Sequence, residues 1–207
     1  MSDTKRYSAG EMVRAALLTA IIVLMAFTPL GYFKTGGLSI TLLPIPVVIG
    51  AITVGPSVGA LLGFVFAITS VVQCFGLEPF GTTLMGINPV GTILTCIVPR
   101  VLMGFLAGII FKIVKRFSKG GNVPFVVASL SGAILNTAVF MSLLCLFFYN
   151  TEFIQGLVSA MGAGGMFTFV LLFVGVNGVI EAVACCILGG LISKAICAFS
   201  NRSKKVN

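Results

Sequence analysis

Histidine and tryptophan are both missing from this chain of 207 residues, and acids nearly so, with five Asp and Glu in all. Without histidine the chain lacks the usual general base and the commonest metal ligand. Charged residues make up only 9% of it, whereas soluble domains carry about a quarter. Too few polar residues are present to clothe a water-soluble surface. No G-x-x-x-x-G-K-[ST] run occurs, so there is no ATP-binding loop of that type. With no histidine and no Asp pair at membrane depth, hydrolase chemistry has little to work with, and an enzyme is not expected. The six cysteines, Cys74, Cys96, Cys145, Cys185, Cys186 and Cys197, show no CxxC spacing and lie mostly in apolar runs. They read as apolar helix filler. Neither a metal nor a cofactor is expected.

What is present is apolar: 58% of the residues are hydrophobic. A membrane span needs about 20 apolar residues, so the length allows five or six helices with short loops and no soluble catalytic domain. The reading is one all-α membrane domain over residues 1–207, with six transmembrane helices. Helix 1 is expected over about Glu11 to Pro29, a retained helix because no A-x-A-type cleavage site follows Phe27. Segment 2, about Ile40 to Val54, is short and holds Pro44 and Pro46. Short or interrupted membrane segments are tolerated only where protein or a cavity satisfies their backbone, and they often mark binding sites. A merely kinked helix is the plainer reading. Helix 3 follows over Ser57 to Phe75, helix 4 over Pro89 to Ile113, helix 5 over Val123 to Phe148 and helix 6 over Met166 to Ala195, before a basic tail. The loops fall at 30–40, 76–88 and 149–165.

The net charge of +8 flanks apolar runs instead of forming one patch, which argues against nucleic acid. Six crossings with the N-terminus inside put eleven of the 13 Lys and Arg on the inner side, among them Lys5, Arg6, Arg14, Lys112, Lys115, Arg116, Lys119, Lys194, Arg202, Lys204 and Lys205. The outer loops hold only Lys34. This bias places both termini in the cytoplasm of a cell-membrane protein. Arg100 is the exception, alone inside the apolar run Val90–Phe111. A charge at bilayer depth costs roughly 2.5–3.5 kcal/mol on insertion scales and marks a partner, a cavity or a ligand. Its planar fork of donors suits a carboxylate, though an ion pair with Glu181, the only acid deep in a helix, would also satisfy it. The other polar groups at depth are Thr69, Gln73, Asn88, Asn136 and Asn177. Asn136 and Asn177 suit the hydroxyl or amide groups of a ligand or a neighbouring helix. Gln73 and Asn88 are placed at a pocket mouth or in plain loop solvation.

Small residues recur every four positions: Ala16 and Ala20, then Gly55, Gly59 and Gly63, then Gly104 and Gly108. Such faces let helices approach closely. Internal packing is the plain reading for the glycines, whereas Ala16 and Ala20, with Arg14 beside them, present a face where a partner can dock.

With these motifs the chain resembles the substrate-binding S components of energy-coupling factor (ECF) vitamin transporters. The likeness rests on six helices, A-x-x-x-A in helix 1, the run Leu43 to Pro56 with Gly59, Gly63, Thr69 and Ser70, and Asn88-Pro89 and Pro99-Arg100 followed by Gly104 and Gly108. It is most similar to the pantothenate-type branch. The resemblance implies a pocket opening outward, closed by loop 1 and the loop before helix 6. It also implies a transmembrane coupling subunit that meets Ala16 and Ala20, and two ATPases that power the reset after the subunit topples. Pantothenate is a hydroxy-amide carboxylate that would match Arg100 with Asn88, Asn136 and Gln73. Riboflavin, which could stack on Phe or Tyr, is the alternative vitamin. Outside this class stand a structural membrane protein without ligand and an autonomous ion-coupled transporter, the latter poorly served by so few titratable groups at depth.

Overall fold

The computed structural model describes residues 8–29, 31–35, 38–118 and 121–206, with the backbone only for 32–35, 38–40, 176–177 and 201–206. Lys5, Arg6 and Lys119 lie outside the described residues. The six apolar segments appear as α1 (Ala9–Ala26), α2 (Pro44–Thr53), α3 (Pro56–Gln73), α5 (Pro89–Phe117), α6 (Val123–Phe148) and the run formed by α8 (Met166–Ala184) and α9 (Gly190–Val206). Among the described residues, five helical stretches are long and apolar enough to cross a membrane. The architecture is that of an all-α integral membrane protein with a short, proline-containing second helix.

Three elements fall where loops were expected. An antiparallel hairpin of β1 (Tyr32–Thr35) and β2 (Leu38–Thr41) occupies the first loop, with Tyr32 opposite Thr41. Helix α4 (Pro79–Ile87) starts because the Glu78 carboxylate accepts from the backbone N–H groups of Phe80 and Gly81, with Pro79 in the first turn. Helix α7 (Glu152–Ala160) is capped by Thr151, whose Oγ1 accepts from Ile154 N–H at 3.4 Å. It buries Ile154 and Val158, one turn apart. At the chain's start, Ser8 and Glu11 form a reciprocal capping box, so α1 begins before Glu11.

Helix α2 has 10 residues, and every residue from Pro44 to Ile52 is buried. A helix that is apolar all round must be enclosed. It is: α1, α3, α5, α6 and α9 all pack against it. Val47, Val48 and Ile52 of α2 meet Leu18 and Ile22 of α1, Leu62 and Phe66 of α3, and Met103 and Ala107 of α5 in the main core. Segment 2 is thus shorter than expected, because residues 38–41 belong to the hairpin. A second cluster, Leu84, Met141, Leu144, Phe148, Ile154, Val158 and Phe169, joins α4 and α7 to α6 and α8.

The closest approach is between α3 and α5. A Cβ placed on Gly59 would collide with the Gly104 carbonyl, one on Gly104 with the Gly59 carbonyl, and one on Gly63 with the Arg100 carbonyl. Gly59, Gly63, Gly104 and Gly108 therefore serve internal packing, whereas Gly55 meets nothing within 4 Å and makes the turn before α3 at φ 141°. The final apolar run is not one continuous helix. Gly175, at φ 39° and ψ −140°, breaks α8 in a conformation that favours glycine. A π-helical turn, Cys185–Gly189, then joins α8 to α9.

Replacing Gly104 by Ala drives a methyl into the α3 backbone and is expected to destabilise the protein by about 1–3 kcal/mol, the usual cost of overpacking. Gly86→Ala, where a Cβ meets nothing within 4 Å, is the matched control. Thermal melting of both variants in detergent checks the contrast.

Candidate functional site

Beyond the glycine crossing, the C-terminal part of α3 and the N-terminal half of α5 wall a cavity of about 500 Å³. Helices α4, α6, α7 and α8 and the end of β2 complete its lining. It lies away from the basic end of the bundle, where α1 meets α9 through Arg14 and Ser200 (3.5 Å).

Arg100 is held in this wall by a local defect. Pro99 sits inside α5 and has no N–H, so the Thr95 carbonyl loses its intrahelical donor. The Arg100 guanidinium supplies one in its place, donating Nη1–H to Thr95 O at 2.8 Å. Two rings flank the cation, with Phe66 of α3 at 5.1 Å and Phe140 of α6 at 5.6 Å from Cζ. Both lie inside the range of cation–π attraction. The Arg100 Nε is buried and has no hydrogen-bond partner.

That unpaired donor has company. Among the described residues, seven buried side-chain polar atoms lack a partner, and four of them belong to the cavity lining: Arg100 Nε, Asn136 Oδ1, Ser70 Oγ and Thr41 Oγ1. Buried polar atoms are paired in the great majority of cases. Each of these four is covered by its protein neighbours, so the cavity offers it to a polar ligand only once its side chain turns inward. The rest of the lining includes Phe80, Leu84, Phe140, Met141 and Phe173, so apolar walls surround a few polar groups, as in small-molecule sites generally.

The two acids of the lining are already engaged. Glu78 accepts from two backbone N–H groups of α4, and Glu181 Oε1 accepts from Thr41 N–H at 2.6 Å, which ties β2 to α8. Among the described residues, Arg100 and Glu181 share the cavity without forming an ion pair.

Residues 11–193 match the family described as ECF transporter, substrate-specific component. The chain belongs to this family. No curated protein matches it. It is therefore a substrate-specific membrane subunit of an ECF transporter, a class of transporter subunits and not of enzymes. Such an S component works with coupling and ATPase subunits.

Of the residues singled out from the sequence, Arg100, Gln73, Asn136 and Glu181 line the cavity of the S component. Gln73 is partly committed there, since its Nε2 donates to Ala26 O at the end of α1 (2.5 Å). Two do not reach the cavity. Asn88 caps α5 by accepting from Gly91 N–H at 2.9 Å, and Thr69 turns back to Phe66 O at 2.8 Å. Both obey local backbone needs, which for Asn and Thr compete with any longer reach. The side chain of Asn177 lies outside the described residues. Thr41, Ser70, Glu78, Thr92 and Thr95 were not named as site residues but line the cavity. Thr92 and Thr95 stand within about two turns of Arg100 on α5, the polar positions nearest it in that apolar run.

The proline–arginine arrangement is testable without a ligand. Arg100→Met removes the donor to Thr95 O and should lower stability by about 1–3 kcal/mol. Adding Pro99→Ala returns a backbone N–H to that carbonyl and should recover part of the loss. Thermal melts of the two single variants and the double variant should be non-additive.

Proposed function

We propose that this S component captures pantothenate from the outer face of the cell membrane and delivers it through a transmembrane coupling subunit and two ATPases. The observation that carries the reading is the set of unpaired buried polar atoms around Arg100 in one cavity. A carboxylate suits a guanidinium already oriented by Thr95. Asn136, Ser70 and Thr41 offer donors and acceptors for an amide and hydroxyls, and the phenylalanine and leucine walls suit a branched carbon skeleton. A cationic vitamin is served less well, because Glu78 and Glu181 are engaged by backbone N–H groups. The aromatic lining of Phe80, Phe140 and Phe173 favours riboflavin as the second reading, since its flat ring could stack there.

Orientation follows from charge. Lys115 and Arg116 in the last turn of α5, Arg14 in α1 and Lys194 in α9 belong to the end opposite the cavity. With that end cytoplasmic, both termini are inside and the cavity faces outward. Ala16 and Ala20 are exposed on α1, while Leu18, Ile22 and Ala26 are buried in the bundle. That outward face is the proposed contact for the coupling subunit.

Calorimetry with a vitamin panel on the reduced, purified S component is expected to show pantothenate binding. Arg100→Ala should weaken it at least about thirtyfold, because leaving a buried charge partner uncompensated costs about 2 kcal/mol or more. Full pantothenate affinity in that variant would sink the substrate reading, and tight riboflavin binding would replace it. Ala20→Phe should leave vitamin binding intact and abolish co-purification with the coupling subunit. If the complex survives this change, α1 is not the docking face.

A further inference from the structure

Cys74 and Cys96 hold their sulfur atoms 3.8 Å apart, in contact across the α3–α5 wall. Each residue is 6% exposed, and both line the cavity. Cys74 caps the C-terminus of α3 and its thiol donates to Ser70 O at 3.2 Å. Cys96 stands one turn before Arg100 on α5. Helix α4 leaves room for the pair, since a Cβ on Gly81 would lie 2.6 Å from the Cys74 sulfur. Apolar filler accounts for a thiol packed among helices. It does not account for two thiols meeting in the wall of a cavity.

We propose that Cys74 and Cys96 form a modification site, a dithiol that a small organic disulfide reaching it through the cavity converts to an intramolecular disulfide. The inference rests on the reading of the cavity as open to small solutes. One cysteine, as thiolate, attacks a sulfur of the reagent, forming a mixed disulfide and expelling one reagent thiolate. The second cysteine then attacks the protein sulfur of that mixed disulfide and expels the other half of the reagent. Both cysteines are oxidised and lose their protons, and one reagent disulfide becomes two thiols. The sulfurs close from 3.8 Å to the S–S bond length of about 2 Å. The bond fastens the end of α3, next to Gln73, to α5 four residues before Arg100.

The test uses the full chain, reduced and held in lipid nanodiscs, exposed to bis(2-hydroxyethyl) disulfide, alkylated and digested without reductant. The expected result is a linked pair of peptides carrying Cys74 and Cys96, reversed by dithiothreitol, with Cys145, Cys185, Cys186 and Cys197 alkylated. Cys74→Ser and Cys96→Ser should each yield a stable mixed disulfide on the remaining partner. A stable mixed disulfide on one of the two cysteines in the unaltered chain overturns the proposal, as do links spread over the other cysteines or no reaction at either position. Pantothenate binding measured on the same reduced sample reports on the substrate separately. A link that forms in a protein that binds no pantothenate leaves the dithiol standing and removes the vitamin assignment.

Discussion

Backbone contact between α3 and α5 is the constraint on which the rest of this molecule depends. In lipid no hydrophobic force draws helices together, so association relies on close packing and internal hydrogen bonds. Gly59, Gly63 and Gly104 permit the approach. Gly63 sits against the carbonyl of Arg100, so the crossing also fixes where the half-buried cation is held. On one side of the crossing the two helices enclose α2. On the other they carry Ser70, Gln73, Thr92 and Thr95 and become the wall of the cavity.

The treatment of Arg100 shows how a charge is made tolerable at depth. A proline frees one carbonyl, the guanidinium takes it, and two phenylalanine rings cover the cation. Polar groups inside a bilayer must find partners within the protein. Against that demand, the polar atoms left unpaired around the cavity are its most informative feature. Structural needs account for the bonds already made by Glu78, Glu181 and Gln73, but not for Arg100 Nε, Asn136 Oδ1 or Ser70 Oγ.

Much of this was legible in the residues themselves. Long apolar runs are a strong signal, so the helix order and the shortness of the second segment followed from composition and the positions of prolines. A lone arginine in such a run stands out for the same reason, and it does line the cavity. Asn88 and Thr69 were misplaced because a polar residue at a helix end or one turn from a free carbonyl bonds locally first. The hairpin and the two short helices escaped because each is only four to ten residues long and their cues, such as Glu78 before Pro79, are also loop cues. The break at Gly175 escaped because glycine within an apolar helix is equally compatible with close packing.

The shortness of α2 has a consequence for its depth in the membrane. At about 1.5 Å per residue, its 10 residues span about 15 Å, half of a hydrocarbon layer about 30 Å thick. It runs from Thr53, beside the glycine crossing, toward Thr41 at the cavity. The chain before it does not extend it as a helix, because β2 ends at Thr41 and leads into α2 within three residues. Enclosed by α1, α3, α5, α6 and α9 and too short to cross alone, α2 is held at its depth by its neighbours and not by a span of its own.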